Sequence, residues 1–366
     1  MGGTMRLRPL VCVFLTSLAV AGCRSIGPAA IRQGHPGFNG AIAQTLDEQL
    51  LLNIVRMRYL EPIFFLDVGN VTDSRRLGFH VGTSDSMFYV NNKGKTAEWN
   101  PTADLDISQS PTIVYSPMQG QSFVKRLMVP VPLPVLLDAI QSGWSVQRVF
   151  GIFVERMNHL TNAPSASGPT PTSAPDREEF SRLLTVMANL LHGDGLTLGL
   201  DPADRNRLVM RLHANGRLAP IAKEFRDLLA LPSTDNVFSF QENLLDDHRD
   251  SLKLRTRSVQ SALFYLANGV QVPREHLENG IVPITRLGDG SAYDWSVALE
   301  GQFTVCCSDQ RPADAFLAIP YRGHWFFIAD RDLASKSTFM LLMNIFNLQA
   351  GDPKVVAPTL TIPIAR

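Results

Sequence analysis

The chain has 366 residues, of which 45% are hydrophobic and 19% are charged, and its formal net charge at pH 7 is zero. This composition is typical of a globular protein with one large core or two smaller ones, so disorder is not the default expectation. Because basic and acidic residues balance, counterion release provides no drive toward nucleic acid, and we expect no DNA or RNA partner.

The N-terminus carries a targeting segment. Two arginines precede an apolar run over residues 10–20, and Ala21, Gly22 and Cys23 follow it. The run is too short to span a bilayer, and the two small residues suit a signal peptidase. The segment resembles the signal peptides of bacterial lipoproteins. This resemblance implies that residues 1–22 are removed and that Cys23 is acylated, with palmitate among the attached acyl chains. The alternative is an ordinary secretory signal with an incidental cysteine.

The residue after the acylated cysteine bears on location. Arg24 occupies this position, rather than an acidic residue. By the sorting rule of well-studied Gram-negative lipoproteins, the resemblance then implies an anchor in the outer membrane, with the body facing the periplasm. Residues 23–40 contain several glycines and prolines and predict a tether between the lipid and the body.

Residues 41–161 form the first predicted α+β region. A capping box at Thr45–Glu48, followed by apolar residues at helical spacing, predicts a helix that ends near Leu60. The rest of the region is predicted as a buried strand over 63–68, strands and polar loops as far as residue 116, and helices from residue 122 to residue 160.

Residues 162–176 include four prolines among Ser, Thr, Ala and Gly. This composition predicts an exposed linker or long loop. It either separates the first region from a second α+β region, 177–366, or decorates a single body, because long insertions cost little entropy.

The second region alternates between helical and strand patterns. Helices are predicted over 178–192, 221–231, 258–270 and 333–348, and strands over 196–200, 208–212, 237–240, 302–307, 315–319, 325–329 and 360–364. Since no regular βαβ repeat emerges, the expected fold class is α+β, with mixed helices and mostly antiparallel strands.

Cysteine usage limits the chemistry. Cys12 leaves with the signal peptide and Cys23 carries lipid, so Cys306 and Cys307 remain. Adjacent residues of a strand point to opposite faces, so we expect two free thiols, one packed and one near the surface. A redox or metal role for this pair is the alternative.

No established catalytic motif is present. The sequence lacks GxSxG, HExxH, GxxxxGK[ST] and GxGxxG, so neither a hydrolase elbow nor a nucleotide phosphate site is indicated. The stretch 192–195 could bind a metal or a sugar, and 245–250 a divalent cation, but a helix end and a solvated loop explain them. We therefore predict no catalytic residue, no metal and no cofactor.

The hairpin over 315–329 and the junction after it are the predicted interaction surface. Both faces of the second strand carry aromatic residues, so the hairpin is either buried centrally or presents one face to a partner. At the junction, charged residues stand at a helix N-terminus, where free amides favour anions. An internally paired helix-capping network is the alternative. The candidate residues are Trp325, Asp330, Arg331, Asp332 and Lys336.

Three sequence blocks carry a wider resemblance. They are Glu48–Tyr59 (EQLLLNIVRMRY), residues 115–127 with Tyr-Ser-Pro at their start, and Arg322–Ser337 (RGHWFFIADRDLASKS). Together with the lipoprotein signal motif that ends in Ala21-Gly22-Cys23 (the lipobox), they resemble a group of uncharacterised bacterial lipoproteins. The expected function is a lipid-anchored envelope protein with a non-catalytic role in binding other envelope proteins or polymer. A periplasmic hydrolase with dispersed catalytic residues is the alternative.

Overall fold

The structure, a computed structural model, describes residues 36–83, 89–91, 94–96, 101–171, 173–201, 203–204, 207–213, 216–232, 235–241 and 251–350. These residues fall into two compact units. The smaller unit is Phe64–Gln119, and the larger unit contains the described residues that precede and follow it. The lipobox with Cys23, the 245–250 stretch and the strand predicted over 360–364 lie outside the described residues.

The first helix, α1, covers residues 36–58. It therefore includes the last five residues of the predicted tether, and the expected start at Thr45 is wrong. The Thr45 hydroxyl donates to the Ala41 carbonyl at 2.7 Å, one turn back within the helix, and so does not cap it. The helix ends where expected, because Leu60 takes a left-handed conformation with φ of 58°.

The smaller unit is built on a long antiparallel ribbon of β1 (Leu66–Thr83) and β4 (Pro101–Pro117). A short hairpin joins β2 (Tyr89–Asn91) to β3 (Gly94–Thr96). The ribbon is far longer than the strand expected over 63–68. Both strands of a two-stranded ribbon are edges, so the missing N–H of the prolines in β4 is tolerated.

The larger unit continues with three helices and a small hairpin. These are α2 (Gln121–Met128), α3 (Leu133–Gln141), α4 (Val146–Phe153), β5 (Val154–Met157) and β6 (Leu160–Thr161). The helical pattern predicted to residue 160 ends earlier, at Phe153. The Asn162 side chain donates to the carbonyls of Gly151 and Val154 at 2.8 and 2.7 Å, which supports the change from helix to strand.

The 162–176 segment lies inside the larger unit. Its first part is buried, contrary to the expected exposure: Asn162, Ala163 and Ala166 are fully inaccessible. A 3-10 turn spans Pro164–Ser167. The reason is a contact that is distant in sequence, since the buried guanidinium of Arg257 donates to backbone carbonyls of this segment.

The predicted pattern after residue 177 is largely confirmed. The elements are α5 (Glu178–His192), β7 (Leu196–Leu200), β8 (Leu208–Leu212), α6 (Ala219–Leu229), β9 (Val237–Gln241) and β10 (Ser251–Thr256). Together with the earlier hairpin they form a six-stranded sheet in the order β6-β5-β10-β9-β8-β7. Its neighbours are antiparallel except for β9 and β10, which are parallel. Helix α5 packs against α4 and α6.

The last elements carry a second sheet. They are α7 (Val259–Ala267), α8 (Arg274–Glu278), α9 (Trp295–Leu299), β11 (Cys306–Ser308), β12 (Ala315–Tyr321), β13 (His324–Ala329) and α10 (Leu333–Ala350). Strand β13 lies between β11 and β12, so β13 is the central strand of this sheet and β12 is an edge. One face of β13 is buried, at Phe326 and Ile328, and the other, at Trp325 and Phe327, is half-buried. The chain is thus α+β with mostly antiparallel strands, as predicted.

None of the helices in the described part of the chain combines the length and the apolar character that crossing a bilayer requires.

A histidine and carboxylate cluster as the candidate functional site

The candidate site is formed where the β12–β13 hairpin meets α8 and the end of α1. The hairpin turn has positive φ at both central residues, Arg322 (48°) and Gly323 (84°), as a type I′ turn requires. His324 follows this turn and shares a face of β13 with the buried residues Phe326 and Ile328. The tight turn thus places the His324 ring at the end of the inner face of the sheet.

Both ring nitrogens of His324 face carboxylates. Nδ1 lies 3.0 Å from Oδ1 of Asp309, and Nε2 lies 3.1 Å from Oε1 of Glu275. The ring is mostly covered, with a side-chain exposure of 16%, whereas Glu275 is 65% exposed and Asp309 is 92% exposed. The site therefore opens to solvent on its carboxylate side.

His276 is the second, more deeply placed ring. Its Nδ1 lies 2.7 Å from the buried hydroxyl of Tyr59, and its Nε2 lies 3.6 Å from Oε1 of Glu275. The two imidazole rings meet edge to face, with centroids 5.2 Å apart. Burial and then the neighbouring His324 lower the pKa of His276, while Glu275 acts in the opposite direction.

An arginine network borders the cluster. Nη2 of Arg322 lies 2.6 Å from Oε1 of Glu61, and its guanidinium lies over the ring of Tyr59 at 5.0 Å. Hydrogen bonds from Tyr321 and Arg322 lower the pKa of Glu61. Burial raises the pKa of Tyr59 to about 12, so its hydroxyl is neutral at physiological pH. The pairing with Glu61 neutralises the arginine charge beside the two histidines.

The adjacent cysteines lie on β11 and are free, as predicted. Both are half-buried, so the expectation of one packed and one surface thiol is wrong. Burial, and next the charge of Asp309, raises the pKa of Cys307 to about 11. A thiol in that state is a poor nucleophile, because the thiolate is the reactive form.

Of the predicted interaction surface, Trp325 lies directly after His324 at the start of β13, whereas the other four residues lie after the end of β13 and in the first turn of α10. Trp325 is half-buried and faces the guanidinium of Arg311 at 5.3 Å. Asp330 pairs with Lys336 at 2.7 Å, and Asp332 accepts hydrogen bonds from the amide and hydroxyl of Ser335.

Arg331 is exposed. Asp330 and Asp332 each pair with a residue of α10, Lys336 and Ser335 respectively, which agrees with the helix-capping alternative. Docking at this junction stays a prediction.

One of the two alternative ligand stretches can be placed in the fold. Helix α5 ends at His192, and Gly193 follows as its C-cap. The His192 ring lies 2.8 Å from the Ala188 carbonyl one turn back. This stretch is the helix end that the sequence favours.

Sequence reasoning missed the cluster itself. Glu275 and His324 are 49 positions apart, and neither stands in a ligand motif. The available signals were the adjacent Glu275-His276 pair after a helix-opening proline and the aromatic Tyr59 at the predicted end of α1. Neither signal indicates that these segments come together.

A scan against protein-family models and searches of curated proteins and of solved structures found no match to this chain.

Proposed function

We propose that this chain is a lipid-anchored protein of the bacterial cell envelope, placed by its sorting signal in the outer membrane facing the periplasm, and that its body has a non-catalytic binding role. The observation that carries the proposal is the order of a basic start, a short apolar run and Ala21-Gly22-Cys23. In this proposal the membrane is a partner through the lipid on Cys23, and envelope proteins or polymer are partners of the body.

The geometry of the cluster does not match a hydrolase of the serine or cysteine type. A hydrolase of the serine or cysteine type needs a nucleophile within hydrogen-bond reach of a histidine. The partners of the two rings in the described part of the chain are Tyr59, Asp309 and Glu275. A phenol with its pKa raised to about 12 and two carboxylates do not supply that nucleophile, so the cluster gives no support to a hydrolase of the serine or cysteine type.

Acylation is tested by labelling cells that express the full chain with a palmitate analogue. We expect label on the wild-type protein and none on Cys23→Ser, because only this thiol follows the predicted cleavage point. Cys12→Ser is the matched control, since Cys12 lies in the removed segment, and this variant should keep its label. Label that survives Cys23→Ser would rule out the lipid anchor.

Sorting is tested separately by separating the inner and outer membranes on a density gradient. We expect the wild-type protein with outer-membrane markers. We expect Arg24→Asp with inner-membrane markers, because the sorting rule acts on this position. Wild-type protein that co-fractionates with inner-membrane markers contradicts the proposed location but leaves the acylation result unaffected.

A further inference from the structure

We infer that Glu275, His276 and His324 form a binding site for a divalent transition-metal ion of the Zn²⁺ type. One ligand atom of each residue lies within 4.8 Å of those of the other two. The inference goes beyond the lipid anchor and does not depend on it.

The distances between the donor atoms suit a small ion. With bonds of about 2.1 Å, a tetrahedral ion holds its ligand atoms about 3.4 Å apart. Oε1 of Glu275 lies 3.1 Å from Nε2 of His324 and 3.6 Å from Nε2 of His276. The ligand atoms of the two rings lie within 4.8 Å of each other. Because the Glu275 side chain is 65% exposed, it is free to adjust its two distances on binding.

Hydrogen bonds behind the rings orient them for metal binding. Asp309 can only accept, so the Nδ1 atom of His324 carries the proton of that bond. In the neutral ring, the lone pair of Nε2 then points toward Oε1 of Glu275 at 3.1 Å. A metal ion placed there would be bound by both atoms. A carboxylate behind a ligand histidine is the usual outer-shell partner of a zinc site.

The second ring is held in the same sense. The Tyr59 hydroxyl, 2.7 Å from Nδ1 of His276, is buried and can accept the ring proton. This leaves Nε2 unprotonated, with its lone pair available to bind a metal ion on the side of Glu275. The edge-to-face contacts of His276 with Tyr59 and with His324 restrict both histidine rings before any ion arrives, which lowers the entropic cost of assembling the site.

Charge favours a cation of two positive charges. The two carboxylates of Glu275 and Asp309 supply two negative charges, and the nearby Arg322 is paired with Glu61 at 2.6 Å. Imidazole nitrogen with one carboxylate suits zinc and its neighbours in the first transition row, whereas Ca²⁺ and Mg²⁺ prefer oxygen ligands throughout. Three protein ligands on a solvent-facing surface leave a coordination position for water.

The test is calorimetric titration of Zn²⁺ into the full chain, produced without a histidine tag, purified in detergent and treated with a chelator. We expect one ion per chain and no comparable binding of Ca²⁺ or Mg²⁺. Glu275→Gln and His324→Gln should each raise the Kd at least about tenfold, since even the loss of an outer-shell partner costs about 10- to 100-fold in affinity. Asp309→Asn should raise the Kd by about tenfold, because it weakens the outer-shell hydrogen bond to His324.

His159→Gln is the matched control, because His159 is an exposed histidine in the β5–β6 turn, and its Kd should equal that of the wild type. Glu275→Gln keeps the test valid if His324→Gln fails to fold, since Glu275 is exposed and its replacement leaves no buried group unpaired. Circular dichroism checks the folding of each variant.

Cobalt supplies a second readout. Co²⁺ bound by imidazole and carboxylate should give visible d–d absorption without the intense near-ultraviolet band of thiolate ligands. A thiolate band would assign the ion to Cys306 or Cys307 and overturn the inference. Absence of Zn²⁺ binding to the wild type, or unchanged affinity in Glu275→Gln and His324→Gln, would overturn it as well, while leaving the palmitate result intact.

Discussion

Arg257 shows how one residue fastens a segment that the sequence predicts to be loose. Its side chain is 1% exposed, and burial lowers its pKa to about 10, which leaves it charged at neutral pH. It donates to the Ile152 carbonyl at 2.9 Å and to the Ser167 hydroxyl at 3.0 Å, in addition to carbonyls of the 162–176 segment. A buried cation is tolerated here because its donors find acceptors.

We therefore expect Arg257→Met to lower the free energy of unfolding by about 3–5 kcal/mol, since several buried carbonyls lose their donor at once. Urea denaturation followed by circular dichroism measures the change. Arg274→Met is the control: Arg274 is 91% exposed and pairs at 2.6 Å with Glu278, which is 61% exposed. Its loss should cost less than about 1 kcal/mol, and equal losses in the two variants would contradict this role of Arg257.

Helix α10 begins with a carboxylate that bonds to its first turn. The Asp332 carboxylate accepts from the Ser335 amide at 2.9 Å and from its hydroxyl at 2.5 Å. The Ser335 hydroxyl in turn accepts from the Thr304 amide at 2.8 Å. Asp332 thus acts as an N-cap and links the helix to the segment before β11.

Asp332→Ala should lower the free energy of unfolding by about 1 kcal/mol, with a range of about 0.5–2 kcal/mol for lost N-caps. Asp330→Ala, which removes only an exposed pair with Lys336, should cost less. Thermal or urea unfolding of the two variants distinguishes them. An equal or larger loss in Asp330→Ala would mean that the cap contributes little.

The same geometry selects the variant that tests partner docking. Reversing the charge of Asp332 would damage the helix start and confuse folding with binding, whereas Arg331 is exposed. If the junction is a docking surface, Arg331→Glu should fold as the wild type and recover less of its envelope partners from solubilised membranes. Recovery of the same partners at the same yield would remove the junction from the proposed function.

The smaller of the two units begins and ends at the same end of its ribbon. Leu66 is paired with Pro117, and the Met118 amide donates to the Phe65 carbonyl at 2.9 Å. The chain thus enters and leaves the smaller unit at neighbouring positions. A two-residue hairpin turn can join such positions without strain.

Replacing residues 67–116 by Asn-Gly should leave the larger unit folded, because a two-stranded ribbon adds little stability by itself. We expect one cooperative thermal transition with a Tm within about 4 °C of the wild type, equivalent to about 1 kcal/mol in a domain of this size. Replacing 76–108 alone, between the paired residues Arg75 and Gln109, is the milder control. Loss of the cooperative transition in the first variant would contradict the independence of the larger unit.

The part of the fold that could be predicted is the part with local signals. The bounds of α5, β7 and β8 were predicted to the residue, because apolar spacing and the following glycine act within a few positions. Ser258 likewise caps α7, accepting from the Ser261 amide at 3.0 Å. The first helix was misplaced because Thr45 fits a cap equally well when it lies inside a helix and bonds one turn back.

The α+β class and the proposed lipidation signal follow from neighbouring residues, because amphipathic periods and a lipobox are local patterns, and the lipobox acts before folding. Tertiary structure alone decided that Arg257 holds the 162–167 turn, that Asp332 caps α10 and that His276 and His324 share Glu275. These contacts join residues far apart in the chain, and which distant groups meet depends on how strands pair and helices pack. No local pattern encodes that choice.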